Sequence, residues 1–180
     1  TGMRAARGEL IALLDHDDLW YPEKLKAVVA EFDAHPEADL VCHWENVTRD
    51  GRHVRVAKNG PAAADMYERL LLDGNALSPS AATFRKEKAL SIGGFRENPE
   101  FDTVEDYDFW MRLSRIAVFR FIEKPLGEYQ LVERAASRRI EYHNDHLEAL
   151  LRDHFASYFG PNPGPAARLR IIKRGHAGAR

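Results

Sequence analysis

The sequence predicts an α/β fold with a mixed, mainly parallel sheet flanked by helices, and three observations lead there. Short apolar runs of strand length, Glu9 to Leu14, Ala38 to Trp44 and Ala81 to Arg85, punctuate the chain. Between them, apolar residues recur at helical spacing, so strands and helices alternate. The 180 residues are 44% hydrophobic and 10% aromatic, enough to bury one sizeable core and to disfavour disorder.

The elements follow in order. Glu9 to Leu14 reads as a buried strand that ends at a cluster of acids. Tyr21-Pro22-Glu23-Lys24 opens a helix with proline in its first turn; Leu25, Val28, Val29 and Phe32 follow on one face, and His35-Pro36 stops it. Ala38 to Trp44 is the next strand, and Arg49-Asp50-Gly51-Arg52 a tight turn before His53 to Val56. Asp65 to Asp73 is a helix closed by Gly74; Ala81 to Arg85 is a strand; Lys86 to Ile92 is a short helix ended by Gly93-Gly94. Glu105 to Arg115 is a helix with a strong apolar face, Ala117 to Ile122 and Gly127 to Leu131 are strands, and Glu141 to Phe159 is the last helix.

Composition removes several classes of function. With 26 Lys and Arg against 28 Asp and Glu, the net charge is −2, which gives no electrostatic case for nucleic acid as a partner. No apolar run approaches the roughly 20 residues of a membrane-spanning helix. Cys42 is the only cysteine, which excludes an internal disulfide framework and a cysteine zinc site and fits a reducing, cytoplasmic compartment. Asn46-Val47-Thr48 matches a glycosylation sequon and is read as a chance match.

Asp15-His16-Asp17-Asp18 places three carboxylates directly after a strand, where open α/β sheets bind ligands. Adjacent carboxylates repel unless a cation or donors compensate, and hard oxygen ligands suit Mg²⁺ or Mn²⁺ held together with phosphate oxygens. From spacing alone, a metal–diphosphate site and a helix N-cap supplied by Asp17 or Asp18 stand level.

Ala6-Arg7-Gly8-Glu9-Leu10-Ile11-Ala12-Leu13-Leu14-Asp15-His16-Asp17-Asp18-Leu19-Trp20, then Pro22-Glu23-Lys24-Leu25, resembles the central segment of family 2 glycosyltransferases, whose GT-A fold is Rossmann-related. The resemblance implies that Asp15 contacts the nucleotide of a sugar donor. It also implies that Asp17, with Asp15 beside it, holds the divalent metal, and that Asp18 supports them. Glu105-Asp106-Tyr107-Asp108-Phe109-Trp110-Met111-Arg112-Leu113, led in by Gly93-Gly94-Phe95-Arg96-Glu97, resembles the segment that carries the general base of inverting members. By that match Asp106 is the base that deprotonates the acceptor hydroxyl, and Glu105 orients the site or touches the acceptor. Read without the resemblance, acids here simply cap a helix start, Trp110 packs, and Arg112 pairs with an acid.

The resemblance covers about residues 1–130 and lacks the strand that opens this family's domain. The expectation is therefore an N-terminally truncated catalytic domain over residues 1–135, inactive alone, with a C-terminal helix at 136–160 and a Pro/Gly linker and basic tail at 161–180. An exposed sheet edge would invite a homodimer, and the tail a peripheral contact with an anionic membrane. Implied partners are a nucleotide-diphosphate sugar and a hydroxyl acceptor, glycan or glycolipid, at the inner face of the membrane. Arg85 is read as either a basic position beside the site or part of a core strand. His16 is read as non-ligating, and His143, His146 and His154 as mostly exposed helix residues. Two rival functions are a transferase-like binding module without catalysis and a dehalogenase-type phosphatase using Asp15 as nucleophile.

Overall fold

The structure, a computed structural model, describes residues 2–131, 140–160 and 164. The elements are α1 (Gly2–Ala5), β1 (Leu10–Ala12), β2 (Leu19–Trp20), α2 (Lys24–Ala34), β3 (Leu40–Arg49), β4 (Arg52–Ala57), α3 (Met66–Asp73), β5 (Ala82–Arg85), α4 (Lys86–Ser91), α5 (Glu105–Ser114), β6 (Phe119–Gln130) and α6 (Ile140–Phe159). The boundary at 135, most of the linker and the basic tail lie outside the described residues.

The strands form one mixed sheet in the order β1-β5-β3-β6-β2, with β4 also paired to β3. The expected parallel character is overturned: only β3–β6 is parallel, and the other pairs are antiparallel. The reason lies in the connections. Asp50 and Gly51 adopt φ of 51° and 72°, so the chain turns straight back from β3 into β4. The connection after β5 carries α4 and α5 and delivers β6 parallel to β3. The two strands expected over 117–131 are one continuous strand, whose register against β3 shifts where Pro125 meets Trp44. Proline cannot donate to the ladder, and bulges are where sheets accommodate it.

Helices cover both faces. Val28 and Phe32 of α2 pack on Ala38 and Val41 on one side. The larger core lies on the other, where Phe84 of β5 meets Phe109 and Trp110 of α5 at ring-centroid distances of 5.2 and 6.0 Å. Trp110 is fully buried, as its packing role requires. Leu70 and Leu71 of α3 and Leu150 of α6 close that layer. No helix among the described residues is long and apolar enough to cross a membrane.

Gly127 sets how closely β2 approaches β6. A Cβ there would stand 2.7 Å from the Leu19 carbonyl oxygen, a backbone atom with no rotamer to escape into. Gly127→Ala should therefore destabilise the fold by about 1–3 kcal/mol, read from urea unfolding midpoints. An unchanged midpoint would mean that β2 is free to move away.

Candidate active site

The first acidic loop hangs from one residue on the neighbouring segment. Beyond β1, the Asp15 amide donates to the Ser80 hydroxyl at 3.0 Å. The indole N–H of Trp20 and the ammonium of Lys24 both donate to the Ser80 carbonyl, at 2.8 and 3.1 Å. Lys24 is fully buried and lies 3.5 Å from the centroid of the Trp20 ring. A buried ammonium needs acceptors, and burial pulls this one down to about 7. Sequence reasoning missed Ser80, because an acceptor that works through a backbone carbonyl leaves no signal in residue type.

Asp15 and Asp18 diverge from this anchor. Asp18 is 5% exposed, and its Oδ1 accepts the Gln130 amide at 2.9 Å, which ties the loop to the end of β6. Asp18 does not cap α2. The cap position there is Glu23, without a side-chain hydrogen bond. Asp15 is exposed and Asp17 half-buried, with the exposed His16 at 4.0 Å from Asp17. Burial and the nearby Asp18 and Asp17 raise the Asp15 pKa above the usual carboxylate range. Burial also raises Asp18, against the Ser80 hydroxyl and the Gln130 amide.

Asp106 arrives from the start of α5. The entry is set by Thr103, whose φ of 67° is unusual for a β-branched residue. Asp106 Oδ1 accepts the Tyr107 amide at 2.7 Å, and Asn75 Nδ2 stands 3.5 Å from Oδ2. Burial, then the like charges of Glu105 and Asp15, push Asp106 up to about 7. Asp15 and Asp106 therefore feel one another, so the fold brings the two acidic motifs into one neighbourhood. Glu105 lies exposed at its edge.

Asp108, two residues on, has a different task. It is fully buried and held by Arg112 Nε at 2.7 Å, His154 Nε2 at 3.1 Å and Arg96 at 3.4 Å. Burial alone would raise its pKa; His154 and Arg112 reverse the sign and hold it low. Arg112 pairs with an acid as expected, and also donates to the Ile92 and Gly94 carbonyls. His154 corrects the expectation of an exposed helix histidine: it is 3% exposed and also bonded to the Tyr67 hydroxyl at 3.0 Å. A helix face packed on a buried carboxylate needs a polar group there. His143 meets the Thr103 hydroxyl at 3.0 Å, and His146 the Glu100 carbonyl at 2.8 Å, so both brace the segment before α5. Arg85 is not at the acids. It donates to the Ala38 and Pro36 carbonyls beyond α2.

Among the described residues, no group of three or more His, Cys, Asp or Glu side chains is arranged to hold a metal ion. Mg²⁺ and Mn²⁺ sites built with phosphate need only one or two carboxylates. Asp15 and Asp17 meet that lesser requirement: they are hard oxygen donors at an accessible loop with excess negative charge.

Comparison with known proteins gives a family and relatives for the chain. The family model for glycosyl transferase family 2 matches residues 1–93. The chain is 32% identical over 166 residues to the protein y4gI of Sinorhizobium fredii, covering 89% of this chain and 18% of that one. It is 26% identical over 161 residues to an uncharacterized glycosyltransferase of Rickettsia felis, covering 83% and 25%. The chain thus spans a quarter or less of the length of these two relatives. Staphylococcus aureus TarS, solved with UDP-GlcNAc, superposes with a TM-score of 0.63 at 20% identity over 86% of this chain and 44% of that one. The family match begins at residue 1 and gives no support to the expectation that a nucleotide-binding half is lacking.

Asp106 carries a stability signature. Its folded pKa of about 7 stands above the ordinary 3.8, so the folded chain holds this proton more tightly than the unfolded chain does. The ionised group costs nothing below about pH 4, costs increasingly as pH rises through the interval, and costs most above about pH 7. Asp106→Asn should stabilise the fold by on the order of 1 kcal/mol near pH 8, allowing for partial exposure, and not at all near pH 3. Equal effects at both pH values in urea unfolding would show that Asp106 is an ordinary solvated acid.

Proposed function

This chain belongs to glycosyltransferase family 2, and we propose that it transfers a sugar from a nucleotide-diphosphate donor to a hydroxyl acceptor with inversion. The observation that carries the reading is the meeting of the Asp15 loop and Asp106, two acidic motifs far apart in sequence whose charges act on one another. Asp108, which has a structural task, is paired with cations. The Asp15 and Asp106 carboxyls are instead left crowded, as a site that receives a cation and a diphosphate requires.

In this reading Asp15 faces the nucleotide part of the donor, and Asp17 and Asp15 hold Mg²⁺ or Mn²⁺. The metal, when bound, offsets the charge of the departing diphosphate. Asp18 keeps the loop in place through the Gln130 amide. Asp106 receives the acceptor's proton while the acceptor oxygen attacks the anomeric carbon, and Glu105 orients that hydroxyl. A base whose pKa lies near 7 is half ionised at neutral pH yet strong enough to take up a proton, the compromise that general-base catalysis favours. Direct attack on the face opposite the leaving group inverts the anomeric carbon, through a transition state of oxocarbenium character. Family membership leaves the phosphatase alternative without support. We place the reaction in the cytoplasm, a compartment that suits the buried free thiol of Cys42.

A thermal-shift panel of UDP, GDP and dTDP, each with and without Mn²⁺, tests the reading. One nucleotide should raise Tm only in the presence of Mn²⁺. Asp17→Ala should abolish that shift, and Asp106→Asn should keep it while removing turnover of the matching donor sugar. Normal turnover by Asp106→Asn would overturn the base assignment, and a metal-dependent shift that survives Asp17→Ala would overturn the metal assignment.

A further inference from the structure

The β3–β4 hairpin carries a charge arrangement that sugar transfer does not use. Arg52, His53, Val54 and Arg55 are all exposed, and so is Arg49 across the turn. The ladder sets Arg49 directly opposite Arg52 and Val47 opposite Arg55. Between these pairs the register shifts: Thr48 pairs with His53, and Val54 has no partner in β3. Cross-strand partners share a face, and side chains alternate along β3. Arg49, Arg52 and Arg55 therefore lie on one face. Without the extra residue, Arg55 would fall on the other.

Both features run against economy of folding. Like charges directly opposite destabilise a strand pair, and no acid relieves them. Arg49, Arg52 and Arg55 make no ion pair or side-chain hydrogen bond among the described residues. Charge and a bulge on an edge strand both deter strand addition, but neither calls for cations set directly opposite one another. Bulges re-aim side chains, and this one gathers a third guanidinium beside two that already repel. An external anion is what such an arrangement lacks.

The shape of the surroundings indicates which anion. The arginines sit on a hairpin whose residues 49–55 are all exposed, and Val54 beside them is 51% exposed. Alternation from Val41, which packs on Val28 and Phe32, puts the arginine face on the α2 side of the sheet. There Leu25 and Val29, one helical turn apart, are 53% and 46% exposed. Cations together with open apolar side chains on one side suit an extended surface with anionic headgroups above a hydrocarbon layer. We propose that the β3–β4 hairpin docks this chain on an anionic lipid bilayer, with Arg49, Arg52 and Arg55 meeting headgroup phosphates. The proposal is independent of the sugar-transfer reading.

The test is co-sedimentation of the chain with phosphatidylcholine vesicles, with and without phosphatidylglycerol. Arg168, Arg170, Lys173, Arg174 and Arg180 are first changed to Gln so that the basic tail cannot mask the hairpin. This chain should bind the anionic vesicles only, and less as salt rises. Replacing Arg49, Arg52 and Arg55 by Gln should weaken binding at least about tenfold. Deleting Val54 keeps every charge but turns Arg55 to the opposite face, and should weaken binding measurably at constant net charge. Melting curves verify folding; if the deletion variant does not fold, the Gln variant decides alone. Vesicle binding unchanged in the Gln variant would overturn the proposal. So would arginine-dependent binding to heparin with none to vesicles, which would assign the patch to a soluble polyanion.

Discussion

An ionised carboxylate cut off from water must be met by donors from every side, and this fold is arranged around one. Asp108 draws Arg112 from its own helix, Arg96 from the loop before it and His154 from α6. Arg112 extends the network to two carbonyls of the turn at Ile92 and Gly94. Four stretches of chain are thus fixed relative to one another at the start of α5. Withdrawing any one partner would leave charge bare in the interior, a far larger penalty than losing a surface pair. Asp106 inherits its position from this arrangement, since it lies on the same helical turn.

The two acidic motifs each divide their labour. In each, one acid turns inward, Asp18 onto the Gln130 amide through Oδ1 and Asp108 onto its cations. In each, another stays at the accessible surface and is crowded by its own kind, Asp15 in the first and Asp106 in the second. In the second motif, two aspartates two residues apart thereby reach opposite electrostatic states.

Much of this was legible in the sequence because it is local. The order and extent of α2, α3, α4 and α5 follow from apolar spacing and from Pro, Gly and Asp at their ends. Both acidic motifs stand in contiguous stretches. Strand direction was not legible, because whether β5 runs with or against β3 depends on how the intervening chain returns, which no short window records. Strand β2, only Leu19–Trp20, is too short to show any period. His154 looked exposed because helix periodicity cannot reveal that a carboxylate from another helix waits beneath it. Ser80 acts largely through its carbonyl oxygen, a group every residue possesses, so its identity in the sequence said little.

That reliance on Ser80 has a consequence for how the chain can vary. Three donors from the segment between Asp15 and Lys24 converge on one residue of the turn leading into β5. The span from Gly74 to Ser80 therefore behaves as a ruler: its length sets where Ser80 falls, and so where the acidic loop rests. Inserting or removing a residue there would slide the anchor past its donors. The exposed stretch from Ala62 to Ala64, which bears no such convergence, can absorb length changes more readily. Variation among chains of this architecture should accordingly accumulate before α3 and be scarce after it.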